Sequence, residues 1–321
     1  MRKRLLWPCL LLTAAALALY PILSHFYFEQ QKALPPGISR RETRLLRIWL
    51  LGDLQGAEGF LKKQAAAFEK QRPDCRIYLR SAQPSELQAP QTHLPDGVVF
   101  APGCLANPEA LLTPLAGDWP IPDRLLLCGK WQAKQYALPL LLGGYALARQ
   151  TQGEGFEAAP GVPLLLAAPE KASSDAPTQS KVYENFAAGR VERAILTLRQ
   201  VRSLNAREYP FTAQALAWGF TDLGLAGGVM GPKGLDALAF IQFLLSDESQ
   251  QGLAAYGLFS VNPALTLYDE STPLMAQAES VFQSHSALPS FFAFDQEKAR
   301  ALSLGLHEQG MGPDAAFERL Q

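Results

Sequence analysis

Residues 45–51 read LLRIWLL, an apolar run broken only by Arg47 and closed by Gly52-Asp53, and directly afterwards the spacing of apolar positions changes. Ala57, Phe60, Leu61, Gln64, Ala65 and Phe68 recur every three or four positions. The run predicts a buried strand, and the new spacing predicts a helix with one mostly apolar face. Pro73 ends that helix, because its ring removes an amide donor and crowds the preceding turn. With a second strand over residues 75–79, these pieces form the opening of a βαβ unit, and such units hold ligands at the carboxyl ends of their strands. Trp49, Asp53 and Gln55 stand at that end of the first strand.

Upstream, Pro35-Pro36-Gly37 reads as a linker, so folding is expected to start near Thr43. A polar stretch over residues 81–93 leads to a third short strand at 97–100, and this alternation argues for a mostly parallel sheet with helices on its faces. Residues 135–145 (QYALPLLLGGY) look like extended chain that turns and continues as a new strand. Pro139 disfavours a central ladder position, so this piece is expected to pass between two domains and not to belong to one sheet. From 153 to 178 the composition shifts to Pro, Ala, Gly and Ser, with only residues 162–166 resembling a strand. Order returns over 182–189, followed by a strand or helix at 193–198 and a helix at 199–206. Leu235, Leu238, Ile241 and Leu245 predict a further helix. Ser246 is a good N-cap for its successor, and Gly257 is a good residue to end it.

The 321 residues, 48% hydrophobic, suffice for about two domains with substantial cores. A formal net charge of −1 gives no broad positive field, which argues against a nucleic-acid partner. The amino terminus is different: Arg2-Lys3-Arg4 precedes residues 5–28, a largely apolar stretch with no acidic or basic residue except His25. A helix of that length crosses ~30 Å of hydrocarbon, its cationic flank stays in the cytoplasm, and the rest of the chain lies outside. A cleaved signal peptide is the competing reading, because Ala16-Leu17-Ala18 offers small residues at suitable spacing. Cys9 makes a poor lipid-attachment site, since Trp7 and Pro8 precede it and too few apolar residues lie before it.

Cys75, Cys104 and Cys128 are odd in number, so they define no complete disulfide framework, and a Cys104–Cys128 bridge is left open. Cys75 reads as a small buried residue of the second strand. No CxxC, GxSxG, HExxH or P-loop signature is present. The run GLAGGVMGPKG at 224–234 imitates a phosphate loop, but Pro232 interrupts it and no Ser or Thr follows Lys233, so it reads as a turn and domain crossing. His93, His285 and His307 lack metal-ligand spacing, and Asp247-Glu248 and Asp269-Glu270 suit helix starts or turns. No metal, cofactor or catalytic group is therefore expected. Trp49, Tyr136, Tyr145 and Trp218 stand at predicted strand ends or beside Gly and Pro, where aromatic faces can stack on sugar rings or pack in a core.

Five blocks in order, IWLLGDLQGAEGFLKKQAAAFEKQRPD, PDGVVFAPG, KQYALPLLLGGYAL, YENFAAGR and IQFLLSDESQQGLAAYGLFSVN, resemble the extracellular solute-binding proteins of ABC importers, of the sugar-binding family 1 type. The resemblance implies an α/β, two-lobed periplasmic-binding-protein-like fold, with residues 43–139 plus 225–260 as the first lobe and 140–224 plus 261–321 as the second. Residues 1–28 are then the anchor or signal and 29–42 the linker. Between Gly144 and Phe186 the chain is shorter than the family pattern, so the second lobe is expected to be reduced. Carried over to this chain, the ligand-facing positions are Trp49, Asp53, Gln55, Tyr136, Tyr145, Thr197, Arg199, Trp218 and Asp222. The implied role is that of an extracytoplasmic component that passes a carbohydrate or related solute to ABC permease subunits while tethered to the membrane. The alternative is a degenerate binding domain acting as a membrane-tethered sensor or structural partner.

Overall fold

The computed structural model describes residues 43–54, 56–88, 94–159, 178–216, 221–231, 234–285, 288 and 290–292. The predicted anchor, linker and 162–166 strand lie outside the described residues, as do His93, His307 and the side chain of His285. Arg44–Gln321 forms one unit, separate from Met1–Thr43. Among the described residues no helix is long and apolar enough to cross a membrane.

The opening unit consists of β1 (Arg44–Leu51), α1 (Glu58–Gln71) and β2 (Cys75–Ala82). α1 buries Phe60, Leu61, Gln64, Ala65 and Phe68, the face its spacing predicts, and is capped at Arg72 just before Pro73. β3 (Gly97–Phe100) joins β1 on the side away from β2, and both pairings are parallel. The chain then runs through α2 (Pro108–Leu111), α3 (Asp123–Leu126) and a small hairpin, β4 (Lys130–Trp131) with β5 (Lys134–Gln135), to β6 (Ala137–Leu142).

After Gly143-Gly144 a second sheet begins with β7 (Tyr145–Arg149) and β8 (Phe156–Glu157). α4 (Gln179–Ala187), β9 (Arg193–Thr197), α5 (Leu198–Asn205) and β10 (Thr212–Ala215) follow, giving the strand order β10-β7-β9-β8. Strand and helix meet at Thr197, whose side chain accepts from the Gln200 amide while Gln200 returns a bond to the Thr197 amide. This reciprocal cap fixes where β9 stops and α5 starts. The chain then returns to the first sheet as β11 (Gly224–Val229), followed by α6 (Gly234–Leu244), α7 (Asp247–Gln251), a 3₁₀ segment (Gly252–Tyr256) and α8 (Pro273–His285). The first sheet has the order β2-β1-β3-β11-β6, with β11 antiparallel to both neighbours.

Several expectations are corrected here. β6 is a full member of the first sheet, at its edge, and Pro139 is accommodated because the register slips opposite Leu225/Ala226. An edge with a bulge is where a sheet tolerates a residue lacking an N–H. The first six residues of the glycine-rich run, Gly224–Val229, are a buried interior strand and not a turn. Its small residues admit close neighbours: a Cβ on Gly228 would fall 2.9 Å from the Leu112 side chain. α6 buries Ala237, Phe240, Ile241 and Leu244, whereas Leu235 is 84% exposed. Cys75, Cys104 and Cys128 are all free, so no Cys104–Cys128 bridge forms, and the Cys128 thiol instead donates to the Leu288 carbonyl at 2.9 Å. Ser246 does cap α7, accepting from the Ser249 amide, and Gly257 takes the left-handed conformation at φ 69° that ends the 3₁₀ segment.

Candidate functional site

The loops that leave β1 and β3 carry Asp53, Gly56, Ala101, Pro102 and Cys104 to one side of a cavity of about 830 Å³. The second sheet supplies the opposite side through α4 (Gln179, Ser180, Tyr183) and through Thr197 and α5 (Arg199, Gln200, Ser203), with Arg207 just beyond. Gly143, Gly144 and Tyr145 on the outgoing crossing, and Asp222 and Leu223 on the return, line it between these sides. The two crossings touch directly, since the Gly143 amide donates to the Leu223 carbonyl.

Helical spacing explains the polar wall. Arg199, Ser203 and Arg207 recur every fourth residue, as do Gln179 and Tyr183, so each set stands on one face of its helix. The two helices are linked where these faces meet: Gln179 Nε2 donates to Gln200 Oε1 at 2.8 Å, and the Tyr183 and Ser203 hydroxyls are 3.4 Å apart. Gln179 Nε2 also donates to the Ile195 carbonyl at 3.2 Å, while its buried Oε1 has no hydrogen-bond partner among the described residues. A buried acceptor left unpaired is costly.

On the crossing, the Tyr145 hydroxyl donates to Asp222 Oδ1 at 2.6 Å. Burial pushes the Tyr145 phenol well above its ordinary range, with the charge of Asp222, the hydrogen bond to it and the charge of Asp53 adding to the effect. Arg199 crosses to the first sheet's side: a Cβ on Gly56, which has φ 77°, would lie 1.4 Å from its Nη1. Only glycine fits beneath that guanidinium, and only glycine takes that φ without strain. One turn along α5, Arg202 Nη1 donates to the carbonyls of Ala254 and Ala255 at 2.9 and 3.2 Å, where the 3₁₀ segment ends. Burial raises the Cys104 thiol at the cavity wall, partly offset by the Ala101 amide.

Of the positions singled out in the sequence, the structure brings Asp53, Tyr145, Thr197, Arg199 and Asp222 to this cavity. Trp49 and Tyr136 depart from the expectation. Both are core residues, 2% and 4% exposed, and neither lines the cavity. Trp49 sits within the β1 ladder opposite Arg80, whose guanidinium lies 4.7 Å from the centre of its ring. Tyr136 is held between β5 and β6, its amide donating to Gly129. Gln55 and Trp218 lie outside the described residues. The sequence reading does not include Gln179, Ser180, Tyr183, Gln200, Ser203 or Arg207, although the four-residue spacing of Gln179 with Tyr183 and of Ser203 and Arg207 with Arg199 is visible in the sequence. Among the described residues no group of three or more His, Cys, Asp or Glu could hold a metal ion.

No family model matches the sequence, and no curated protein matches it. Solved structures do. The GacH receptor of Streptomyces glaucescens, determined unliganded and with acarbose, aligns at TM-score 0.59 and 13% identity, covering 87% of this chain and 96% of that one. A cyclo/maltodextrin-binding protein complexed with maltotetraose aligns at 0.59 and 15% identity, over 86% of this chain and 95% of that one. An ABC substrate-binding protein from Listeria monocytogenes, in complex with cycloalternan, gives 0.55 and 11% identity, over 86% and 96%. All three are described as receptors or binding proteins, and this chain has their α/β, two-lobed periplasmic-binding-protein-like fold.

Proposed function

We propose that this chain is the extracytoplasmic solute-binding component of an ABC importer and holds a carbohydrate in the cavity between its two sheets. The observation that carries this reading is the composition of the wall. Acceptors (Asp53 and Asp222) face a donor (Arg199) and groups that do both (Tyr183, Ser203). A sugar hydroxyl donates one hydrogen bond and accepts others, so a wall of mixed types suits it. The saccharide-type ligands named for the similar structures support the same ligand class.

In this reading one lobe is built on the five-stranded sheet and the other on the four-stranded sheet, so the division falls at Gly143-Gly144, after β6, and not at residue 139. The two crossings beside Gly143 and Asp222 are the hinge, and closure brings the α5 face against Asp53 and Gly56. Asp53, Tyr145, Thr197, Arg199 and Asp222 bind ligand, and Gln55 and Trp218 belong to the same proposal. Residues 1–28 tether the chain to the membrane, or direct its secretion if cleaved, and ABC permease subunits receive the solute. No chemistry is done on it.

Calorimetric titration of the full-length protein with a panel of di- to tetrasaccharides tests the reading. At least one is expected to bind at 1:1 stoichiometry, with affinity lowered tenfold or more by Asp222→Ala. If no member binds, the reading fails and a sensor or structural role takes its place.

A further inference from the structure

We infer that the outer end of this cavity holds an oxyanion on Arg207, so that the saccharide it takes is an acidic one; this rests on the carbohydrate reading above. The wall is ordered along α5. At its amino-terminal end Tyr145 pairs with Thr197 across β7 and β9, and the charges of Asp222 and Asp53 both act on the Tyr145 hydroxyl. Arg199 stands at the same end, over Gly56, so the cavity's two carboxylates and one of its two arginines are gathered there. One turn further out come Ser203 and Tyr183. Arg207 follows another turn out, roughly 12 Å from Arg199 at the rise of a helix. α5 is assigned only to Asn205, yet the helical path continues, because the Ala206 amide donates to the Arg202 carbonyl and the Arg207 amide to Leu204, both at 3.0 Å.

Arg207 therefore has a different setting from Arg199. It is exposed, it makes no ion pair among the described residues, and the described cavity wall holds no carboxylate besides Asp53 and Asp222. Its chain neighbour Glu208 is not part of that wall. A guanidinium offers a planar fork that matches the two oxygens of a carboxylate, or those of a sulfate ester. The neighbouring Tyr183 and Ser203 hydroxyls then serve ring hydroxyls of the same molecule. A neutral sugar gains nothing from that fork beyond what water supplies.

The test is calorimetry on the full-length protein with neutral trisaccharides, uronate-containing trisaccharides and sulfated trisaccharides. The expected result is that an acidic member binds at least tenfold more tightly than any neutral one, with an affinity that falls as salt rises. Arg207→Gln should remove most of that preference while leaving the affinity for neutral trisaccharides within twofold, and Arg207→Lys should keep part of it. Which acidic set binds identifies the oxyanion. If the tightest ligand is neutral, or if Arg207→Gln leaves the acidic preference intact, the inference falls while the carbohydrate reading stands. If Arg207→Gln lowers thermal stability and affects neutral and acidic ligands alike, Arg207 only complements the carboxyl-terminal end of α5, and the inference falls too. If no trisaccharide of any set binds, the carbohydrate reading itself has failed.

Discussion

In the five-stranded sheet β3, β6 and β11 are buried along their whole length, whereas in the four-stranded sheet β8 is half-exposed throughout and β10 is buried only at Ala215. The first sheet is a covered one with two parallel and two antiparallel pairings, and its fully buried strands carry only apolar or small residues. It brings backbone, small side chains and one carboxylate to the cavity. The second sheet is thinner, and its two helices bring nearly all the polar side chains. On the proposed reading, one side of the site is thus a scaffold that sets a shape, and the other is a recognition surface that sets the chemistry. Substitutions should divide accordingly, into those that cost stability and those that cost binding.

The largest effect is expected from Phe100→Ala. Phe100 is fully buried and its ring lies 5.8 and 5.9 Å from those of Phe291 and Phe292. Emptying that volume should cost about 3–5 kcal/mol, read as a shift of the denaturant midpoint. Affinity of the remaining folded protein should stay within a few-fold. A large affinity loss at unchanged stability would undo the division between scaffold and recognition.

Tyr145→Phe comes next, because it removes a bond to a charged carboxylate and should cost about 1.5–3 kcal/mol. It also sharpens the comparison through pH. The phenol's ionisation is raised in the folded state, first by burial and then by Asp222, so its contribution is whole below its unfolded value near pH 10 and is lost as pH climbs above that. Alkaline melting curves of wild type and variant should therefore converge above about pH 10. Curves that remain parallel would show that this bond carries no such linkage.

Gly56→Ala should cost about 1–3 kcal/mol from its left-handed backbone and displace Arg199. Combined with Arg199→Ala the penalties should be less than additive, since the clash disappears with the guanidinium. Full additivity would mean that Arg199 does not rest there in solution. Leu235→Lys is the smallest effect, within about 0.5 kcal/mol, because this side chain is 84% exposed. A larger loss, measured by thermal melting, would mean that the face of α6 has been misplaced.

The opening unit was legible because its forces are local: the apolar run of β1, the helical spacing of α1 and the block at Pro73 all act within a few residues. β11 was not. Its glycines look like loop residues, and the reason for them, the approach of side chains such as Leu112, lies more than a hundred positions away. Leu235 misled for a related reason, since position in the first turn of α6 and not hydrophobicity decides what faces the sheet. Within the site, Asp53, Tyr145, Thr197, Arg199 and Asp222 were found by family resemblance at loop and crossing positions. Trp49 and Tyr136 were drawn in by residue type although the ladder and the core claim them. Gln179, Ser203 and Arg207 escaped notice because a polar helix face ordinarily faces water, and nothing in one helix reveals that a second faces it across a cavity.

The placing of β11 between β3 and β6 has a consequence for how the molecule comes into being. Until the ribosome has added residue 229, two greasy ladders that are internal in the finished fold stand with open rims. At ordinary elongation rates that interval lasts on the order of ten seconds. A chain that ends before Gly224 leaves the facing edges of β3 and β6 unpaired, and they are joined by a strand made of little more than backbone.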